Sequence, residues 1–156
     1  EASLRSEFVA PDLYLTLGSL YAQRKRFREA EDLCRKAIAL DPQHSESYLN
    51  LAQLFNAQGL SDKALGALKQ ALPPGKTFAS SPYYQKLQAD IHLEFGRAYA
   101  AKGVNREAVR SYQQCLALDS NRAEAHRGLA DVYRREGDAA SAAEQAGLAA
   151  GLEAKK

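Results

Sequence analysis

A short glycine-lysine-threonine sequence is the first feature of this chain that could support chemistry. Gly75-Lys76-Thr77 resembles the end of a phosphate-binding loop, in which backbone N–H groups and a lysine hold phosphate oxygens. Such a loop needs a further glycine at the position that Gln70 occupies, and it follows a strand. Here the preceding residues have helical spacing instead. We therefore predict that this segment does not bind a nucleotide.

Histidine and cysteine are the other residue types that could bind a metal or act as nucleophiles. Cys34 and Cys115 form no Cys-x-x-Cys pair and have no histidine at zinc-finger spacing. We predict that both are buried, inert thiols. For His92 and His126 we expect packing between neighbouring first helices, and for His44 a solvated turn. The sequence thus predicts no metal site, no cofactor and no catalytic residues, and therefore a protein that is not an enzyme.

Charge and hydropathy exclude further classes. The net charge is +2, and acidic residues directly follow the densest basic run, Arg24-Lys25-Arg26-Arg28. Phe27 is the one aromatic residue within this run, and the acidic residues that follow favour a solvated turn, so we predict no nucleic-acid binding. No apolar run approaches the roughly 20 residues that a membrane-spanning helix needs, which predicts no membrane insertion. With two unpaired cysteines, the composition favours a cytoplasmic location and leaves the periplasm open.

The elements that carry these residues form an internal repeat. A block of large apolar, small, polar, apolar and aromatic residues occurs four times, starting at Leu17, Leu51, Phe95 and Leu129. Further along each block a small residue recurs, at Ala30, Ala64, Ala108 and Ala142. Apolar residues at three- and four-residue spacing indicate two amphipathic helices in each block. The small residues permit close helix approach, and Gly59, Gly103 and Gly137 are placed to end the first helices.

This pattern resembles the tetratricopeptide repeat family, whose unit of about 34 residues has a small residue and a tyrosine in its first helix and alanines in its second. The resemblance covers roughly residues 11–151. It departs from the family pattern in the absence of tryptophan, and the terminal proline is present only as Pro42. The resemblance implies an all-α fold, namely a right-handed α-solenoid of antiparallel helix pairs. It also implies a non-catalytic protein-interaction scaffold.

The repeat spacing predicts the following organisation. Residues 1–10 form a tail or the remnant of an earlier helix, and repeats occupy 11–44, 45–78, 89–122 and 123–156. The second repeat ends in a loop, and the fourth includes a cap or tail. Residues 79–88 are an insertion that extends the first helix of the third repeat, with Ser81 as N-cap and Pro82 as its first residue. We predict one helix from about 82 to 102 that projects beyond its neighbours by roughly 15 Å.

The first helices of such a solenoid line its inner surface, and helical spacing gives the candidate residues for binding a peptide or helix of a partner. These are Leu15, Ser19, Leu49, Asn50, Gln53, Asn56, Leu93, Arg97, Arg127, Asp131, Arg134 and Arg135. The amide side chains either form hydrogen bonds with a peptide backbone or are simply solvated. The leucines either contact side chains of a partner or pack between neighbouring helices. The arginines of the last repeat favour an acidic ligand at that end.

Two further predictions concern partners. Within the family, domains that grip the C-terminal carboxylate of chaperones use a set of lysine, asparagine and arginine side chains. Only Asn50 matches that set, and Asp90 and Glu94 stand where cations are needed. We therefore predict that such tails are not ligands. The alternative function is a structural or self-assembling module, a homo-oligomer or part of a longer protein, that uses Tyr83 and Tyr84 as a second interface.

Overall fold

The computed structural model describes residues 10–72 and 81–155. Within these ranges all regular structure is helical, which confirms the all-α prediction. The helices are α1 Pro11–Gln23, α2 Phe27–Leu40, α3 Ser45–Ala57, α4 Ser61–Ala71, α5 Pro82–Ala101, α6 Asn105–Leu118, α7 Ala123–Glu136 and α8 Ala139–Glu153. The Gly75-Lys76-Thr77 segment and the predicted tail up to residue 9 lie outside the described residues.

Each consecutive helix pair forms a hairpin, and successive hairpins stack on one another. Helices α1 and α2, α3 and α4, α5 and α6, and α7 and α8 have the most extensive contacts, and each second helix also packs on the first helix that follows it. This arrangement is an α-solenoid of antiparallel pairs, in which each unit contacts mainly its neighbours.

Small residues lie where the helices approach most closely. Ala52 is fully buried and Ala130 is 2% exposed, and both occupy the small-residue position of their repeats. A methyl group added at Gly18 would lie 3.5 Å from the Ala30 carbonyl oxygen and 3.6 Å from the Leu33 side chain, so alanine also fits there. At Gly96 an added Cβ would lie 2.5 Å from the Tyr112 ring, so at that position glycine is required for the close approach.

The turns inside the hairpins require a left-handed residue. Gly59, Gly103 and Gly137 have φ angles of 72°, 75° and 80°. The first hairpin places Lys25 at this point with a φ of 58°, a conformation that L-residues other than glycine adopt at a cost of about 1–2 kcal/mol. The backbone geometry is thus conserved among the four turns although the residue is not.

The long helix before the third repeat is present, but its first turns do not project freely. The Ser81 hydroxyl accepts a hydrogen bond from the Tyr84 N–H, so Ser81 caps the helix as predicted. Leu87 is 5% exposed, and Tyr84 packs against the core cluster that α3 and α4 contribute to. The projection predicted for this segment was wrong, because its apolar face continues onto the preceding hairpin.

Candidate functional site: the inner surface of the helical stack

The inner surface is defined by which helices touch across repeats. The first helices contact one another along the stack, α1 with α3, α3 with α5 and α5 with α7. Among the described residues the second helices make no such contacts with one another. A stack whose first helices are closer together than its second helices curves around the first helices. These helices therefore line the concave side.

One exposed side chain per repeat forms a row along this surface. Ser19, Gln53, Arg97 and Asp131 occupy the same register position in the four first helices, and all four are exposed. Together they offer a hydroxyl, an amide, a guanidinium and a carboxylate, the groups that donate to or accept from a polypeptide. Three of them also have a partner within the chain: Ser19 donates to the Leu15 carbonyl oxygen at 3.0 Å, and Arg97 and Asp131 are in ion pairs. All four were among the residues predicted for the site.

The leucines predicted for the same surface are part of the core. Leu15, Leu49 and Leu93 are 6%, 6% and 5% exposed. Of the two interpretations of this stripe, packing between neighbouring first helices is therefore the one observed. These side chains support the inner surface from beneath and are not open to a partner.

The predicted asparagines already have partners within the chain. The Asn50 amide donates to the Glu46 carbonyl oxygen at 2.9 Å, and its oxygen lies 3.4 Å from the Ser19 hydroxyl. The Asn56 amide donates to the Glu94 carboxylate at 2.8 Å. By contrast, the structure gives the Gln53 side chain no hydrogen-bond partner among the residues that it describes.

A buried carboxylate organises the middle of the surface, and the sequence did not reveal it. Glu94 is only 2% exposed. Its oxygens accept from Asn56 on α3 and pair with Arg97 at 2.6 Å, so its charge is compensated on both sides. Helical spacing placed Glu94 among surface residues, because it cannot show that α3 approaches from the side. The only sequence signal was an asparagine at a position where the other repeats have alanine or arginine.

The arginines of the last repeat are separated by the structure. Arg134 pairs with Asp131 at 2.6 Å, and Arg135 donates to the Ala100 carbonyl oxygen at 2.8 Å, which ties α7 to α5. Arg127 instead pairs with Glu153 of α8 at 2.7 Å. Arg127 occupies the register position of the buried leucines, and its ion pair lies at the end of the stack. The structure therefore does not group Arg127 with the other two arginines.

Tyr112 is a second residue near the site that the sequence analysis missed. Its ring lies beside Gly96 of α5 and Gly128 of α7, where any added Cβ would collide with it. Burial raises its pKa to about 12, and its hydroxyl end lies close to charged groups that include Arg97 and Asp131. The signal available in the sequence was the pair of glycines in neighbouring first helices, opposite the large side chain at position 112.

Tyr83 and Tyr84, predicted as a second interface, differ in their surroundings. Tyr83 is 57% exposed, and its hydroxyl donates to Glu46 of α3. This bond is the main reason that the pKa of Tyr83 is raised to about 12. Tyr84 is partly buried against the core and meets the Tyr83 ring edge-on at 5.2 Å between ring centroids.

The cysteines are buried as predicted. Cys34 is 3% exposed and Cys115 fully buried, and burial raises the pKa of each thiol to about 11. At neutral pH both are therefore uncharged, which makes them poor nucleophiles.

The histidines differ from the prediction in their contacts. His92 and His126 face the second helix of their own hairpin: His92 lies with Phe95 beside residues of α6, and His126 lies 2.7 Å from the Gln145 amide oxygen. His44 was predicted to be solvated, but it lies between Asp12 and Glu46, at 3.6 and 3.5 Å from their oxygens. The turn that carries it is held between α1 and α3, which the local sequence cannot show.

The described ranges contain neither a cluster of metal-ligating side chains nor a membrane-spanning helix. In the part of the chain that the structure describes, no three histidine, cysteine, aspartate or glutamate side chains are placed to hold a metal ion. In the same part of the chain, no helix combines the length and apolar character needed to cross a bilayer.

Comparison with known sequences identifies the repeat. A family model described as tetratricopeptide repeat matches residues 21–91, and a second, described as TPR repeat, matches residues 96–137. DnaJ homolog subfamily C member 7 of Homo sapiens is 29% identical over 108 residues, which is 69% of this chain and 20% of that protein. The chain spans about a fifth or less of the length of the curated relatives that it matches.

Solved structures share the fold. The Cut9–Hcn1 hetero-tetramer of APC/C superposes with a TM-score of 0.83 at 20% identity, over 94% of this chain and 28% of that one. The crystal structure of MamA gives a TM-score of 0.73 at 21% identity, over 93% of this chain and 79% of that one. These structures share the fold of the chain, and the two family models, which match residues 21–91 and 96–137, show that the chain belongs to the tetratricopeptide repeat family.

Proposed function

We propose that this chain is a non-catalytic protein-interaction scaffold that binds an extended peptide or a helix of a partner protein on its inner surface. The observation that carries the proposal is the exposed row of Ser19, Gln53, Arg97 and Asp131, one side chain from each repeat. A polypeptide lying across the four first helices meets one polar group per repeat. Such a periodic set of donors and acceptors suits main-chain recognition.

The charge of the surface favours partners with acidic groups near α7. Arg134 and Arg135 are both exposed there. Arg134 pairs with the exposed Asp131, and an exposed ion pair contributes only about 0–1 kcal/mol. A partner carboxylate can therefore replace such a contact at little cost. Arg127, paired with Glu153 at the end of the stack, takes no part in this preference.

The test is selection of linear peptides from a random library against the whole chain, followed by measurement of their affinity. We expect Gln53→Ala and Asp131→Ala each to lower the affinity for the selected peptides by about 5- to 30-fold, the effect of losing one or two hydrogen bonds. Asn56→Ala and Arg97→Ala are unsuitable, because each removes a partner of the buried Glu94 carboxylate and so alters the fold.

Lys36→Ala and Lys69→Ala are matched controls, since both residues are exposed on second helices. Both control variants should bind the selected peptides with the affinity of the parent chain. If the selected peptides bound the Lys36→Ala variant more weakly than the parent but the Gln53→Ala variant equally well, the binding surface would lie on the outer face. That result would contradict the proposal.

Self-assembly through Tyr83 and Tyr84 is the second candidate function and draws less support. The Tyr83 hydroxyl is bonded to Glu46 of the same chain, and Tyr84 packs on the core, so only the Tyr83 ring face is available to another molecule. Sedimentation velocity separates the candidates. Concentration-dependent association that Tyr83→Ser abolishes would favour self-assembly over the scaffold.

Two predictions about partners accompany the proposal. Chaperone C-terminal carboxylates should not bind, because the Asn50 amide is engaged with the Glu46 carbonyl oxygen and the position of a required cation holds Asp90. Nucleic acid should not bind either. In the basic run, Arg26 pairs with Glu29 at 2.6 Å and lies over the Tyr21 ring, which leaves less cationic surface than the sequence suggests.

A further inference from the structure

One position on the second helices differs in size from repeat to repeat. Cys34, Leu68 and Tyr112 occupy the same register position in α2, α4 and α6. Each points into the space between two successive first helices. Tyr112 is 3% exposed and Leu68 fully buried, so large side chains fill the deep part of this space in the second and third repeats. Between α3 and α5 a cavity of about 330 Å³ remains, and its lining consists of inner-surface residues such as Gln53, Glu94 and Arg97.

In the first repeat the deep part of this space is open as well. Cys34 is far smaller than tyrosine or leucine, and a cavity of about 220 Å³ lies beside it between α1 and α3. For scale, an apolar cavity of about 150 Å³ accepts benzene. The cavity opens on the inner surface, because exposed residues of that surface, Ser19 and Gln53, form part of its lining.

The chemistry of the walls selects the kind of group that fits. The deep wall is apolar and uncharged, formed by Gly18, Phe27, Ala30, Cys34 and Leu54. The Cys34 thiol stays protonated at neutral pH, since burial raises its pKa to about 11. A charged or hydroxylated group pushed against this wall would lose its water without gaining a partner.

The rim supplies polar groups for a peptide backbone. Gln53 stands at the mouth with its amide uncommitted among the described residues, and Ser19 and Asn50 lie beside it. An apolar pocket with a few polar groups at its edge is the usual form of a side-chain binding site.

We propose that the cavity between α1 and α3 is an anchor pocket for a phenylalanine side chain of the bound peptide. The proposal rests on the proposed function, since the peptide lies along the inner surface. The ring enters from the concave side and occupies the space that Tyr112 and Leu68 fill from the opposite side in the later repeats. Tyrosine is disfavoured relative to phenylalanine, because its hydroxyl would point at the apolar wall.

The test uses N-acetyl-phenylalaninamide as the probe and NMR of the labelled whole chain as the measurement. We expect saturable shifts centred on the amides of Gly18, Cys34 and Leu54, with a Kd on the order of 1 mM, the range for a ligand of this size. N-acetyl-tyrosinamide should bind several-fold more weakly, and N-acetyl-alaninamide should cause no saturable shift at these amides.

Two variants of one residue provide the control. Cys34→Leu fills the cavity as Leu68 does in the second repeat and should weaken the probe at least about 10-fold. Cys34→Ala keeps the cavity open and should leave binding within about twofold. If Cys34→Leu does not fold, Ala57→Leu serves instead, since Ala57 is exposed at the mouth of the cavity and a leucine there narrows the entrance without displacing a buried side chain. Equal probe binding by parent and filled variants, or no saturable shift, would overturn the proposal.

The outcome also separates this inference from the proposed function. Selected peptides that depend on Gln53 and Asp131 but bind Cys34→Leu as tightly as the parent would leave the scaffold intact and refute the pocket. Probe binding at Gly18 and Cys34, in a chain whose selected peptides do not bind the inner surface, would show that the cavity accepts a phenyl ring but would refute both the scaffold and the role of the cavity as a peptide anchor.

Discussion

At the scale of single residues, charge compensation decides which side chains are available. Glu94 is buried with its charge balanced by Arg97 and by the Asn56 amide, across two helices. Removing one partner of a buried, hydrogen-bonded carboxylate leaves it unsatisfied, at a cost of about 1–3 kcal/mol or more. Such residues shape the inner surface without being free to bind. The exposed and uncommitted Gln53 is better placed to make contact with a partner.

His92 makes the stability of the protein depend on pH. Burial lowers its pKa below the ordinary value of 6.5, so the unfolded chain takes up a proton before the folded chain does as the pH falls. The stabilisation is therefore complete above pH 6.5 and is lost as the pH falls from there through the lower pKa of the folded state. We expect His92→Tyr, which restores the residue type of Tyr14 and Tyr48, to lose less stability on acidification.

The measurement is the melting temperature of parent and His92→Tyr at about pH 7.5 and about pH 5, with the parent falling further. All other titratable groups are the same in the two proteins. Comparing the decrease in melting temperature between parent and variant therefore isolates the contribution of residue 92. Equal decreases for parent and variant would contradict the assignment of this pH dependence to His92.

At the scale of helices, the fit of Tyr112 between α5 and α7 depends on two glycines. A Cβ at Gly96 would lie 2.5 Å from the Tyr112 ring, and one at Gly128 would collide with the same ring. We expect Gly128→Ala to lower the free energy of unfolding by about 1–3 kcal/mol through overpacking, measured by urea denaturation. Adding Tyr112→Leu should recover part of this loss, because Leu68 fits the same position beside residues that carry a Cβ.

Gly147→Ala is the matched control. A Cβ at this helical position of α8 meets nothing within 4 Å, so the substitution should be neutral or stabilise by up to about 1 kcal/mol through helix propensity. If Gly128→Ala proved as harmless as Gly147→Ala, the ring would have to lie elsewhere.

At the scale of the whole molecule, the two ends of the stack differ. Leu13, Leu17 and Leu20 of α1 are 62%, 42% and 51% exposed, whereas the residues at the same register in the later repeats are buried against the preceding second helix or partly so. At the other end, the Arg127–Glu153 ion pair stands where the other repeats have a buried leucine. The α1 end therefore exposes three large apolar side chains, whereas the inner side of the last hairpin carries an ion pair.

This difference predicts unequal effects of one substitution in two repeats. Leu54 is 3% exposed and occupies the register position of Leu20. We expect Leu54→Ala to lower the free energy of unfolding by about 2–5 kcal/mol and Leu20→Ala by only about 0.5 kcal/mol, measured by urea denaturation. Comparable losses would show that another part of the protein covers α1.

The sequence by itself determined the helices, their repeat register and the residues at their closest approaches. These depend on local spacing and on residue size, as Gly18 and Ala52 show, and Ser81 and Pro82 mark the start of the long helix in the same local way. The same order of apolar and small residues occurs in all four repeats. A chance match in one repeat would not recur in the other three, so the repeat register can be read from the sequence.

Only the tertiary structure decided which of the inner-surface candidates are exposed. Leu15 is buried by a neighbouring helix, Glu94 by an asparagine from the preceding repeat, and Arg127 is drawn to α8 by Glu153. The cavity beside Cys34 likewise exists only between stacked hairpins. Helical spacing fixes the direction of a side chain from its own helix, but exposure and pairing depend on which atoms other helices bring to that place.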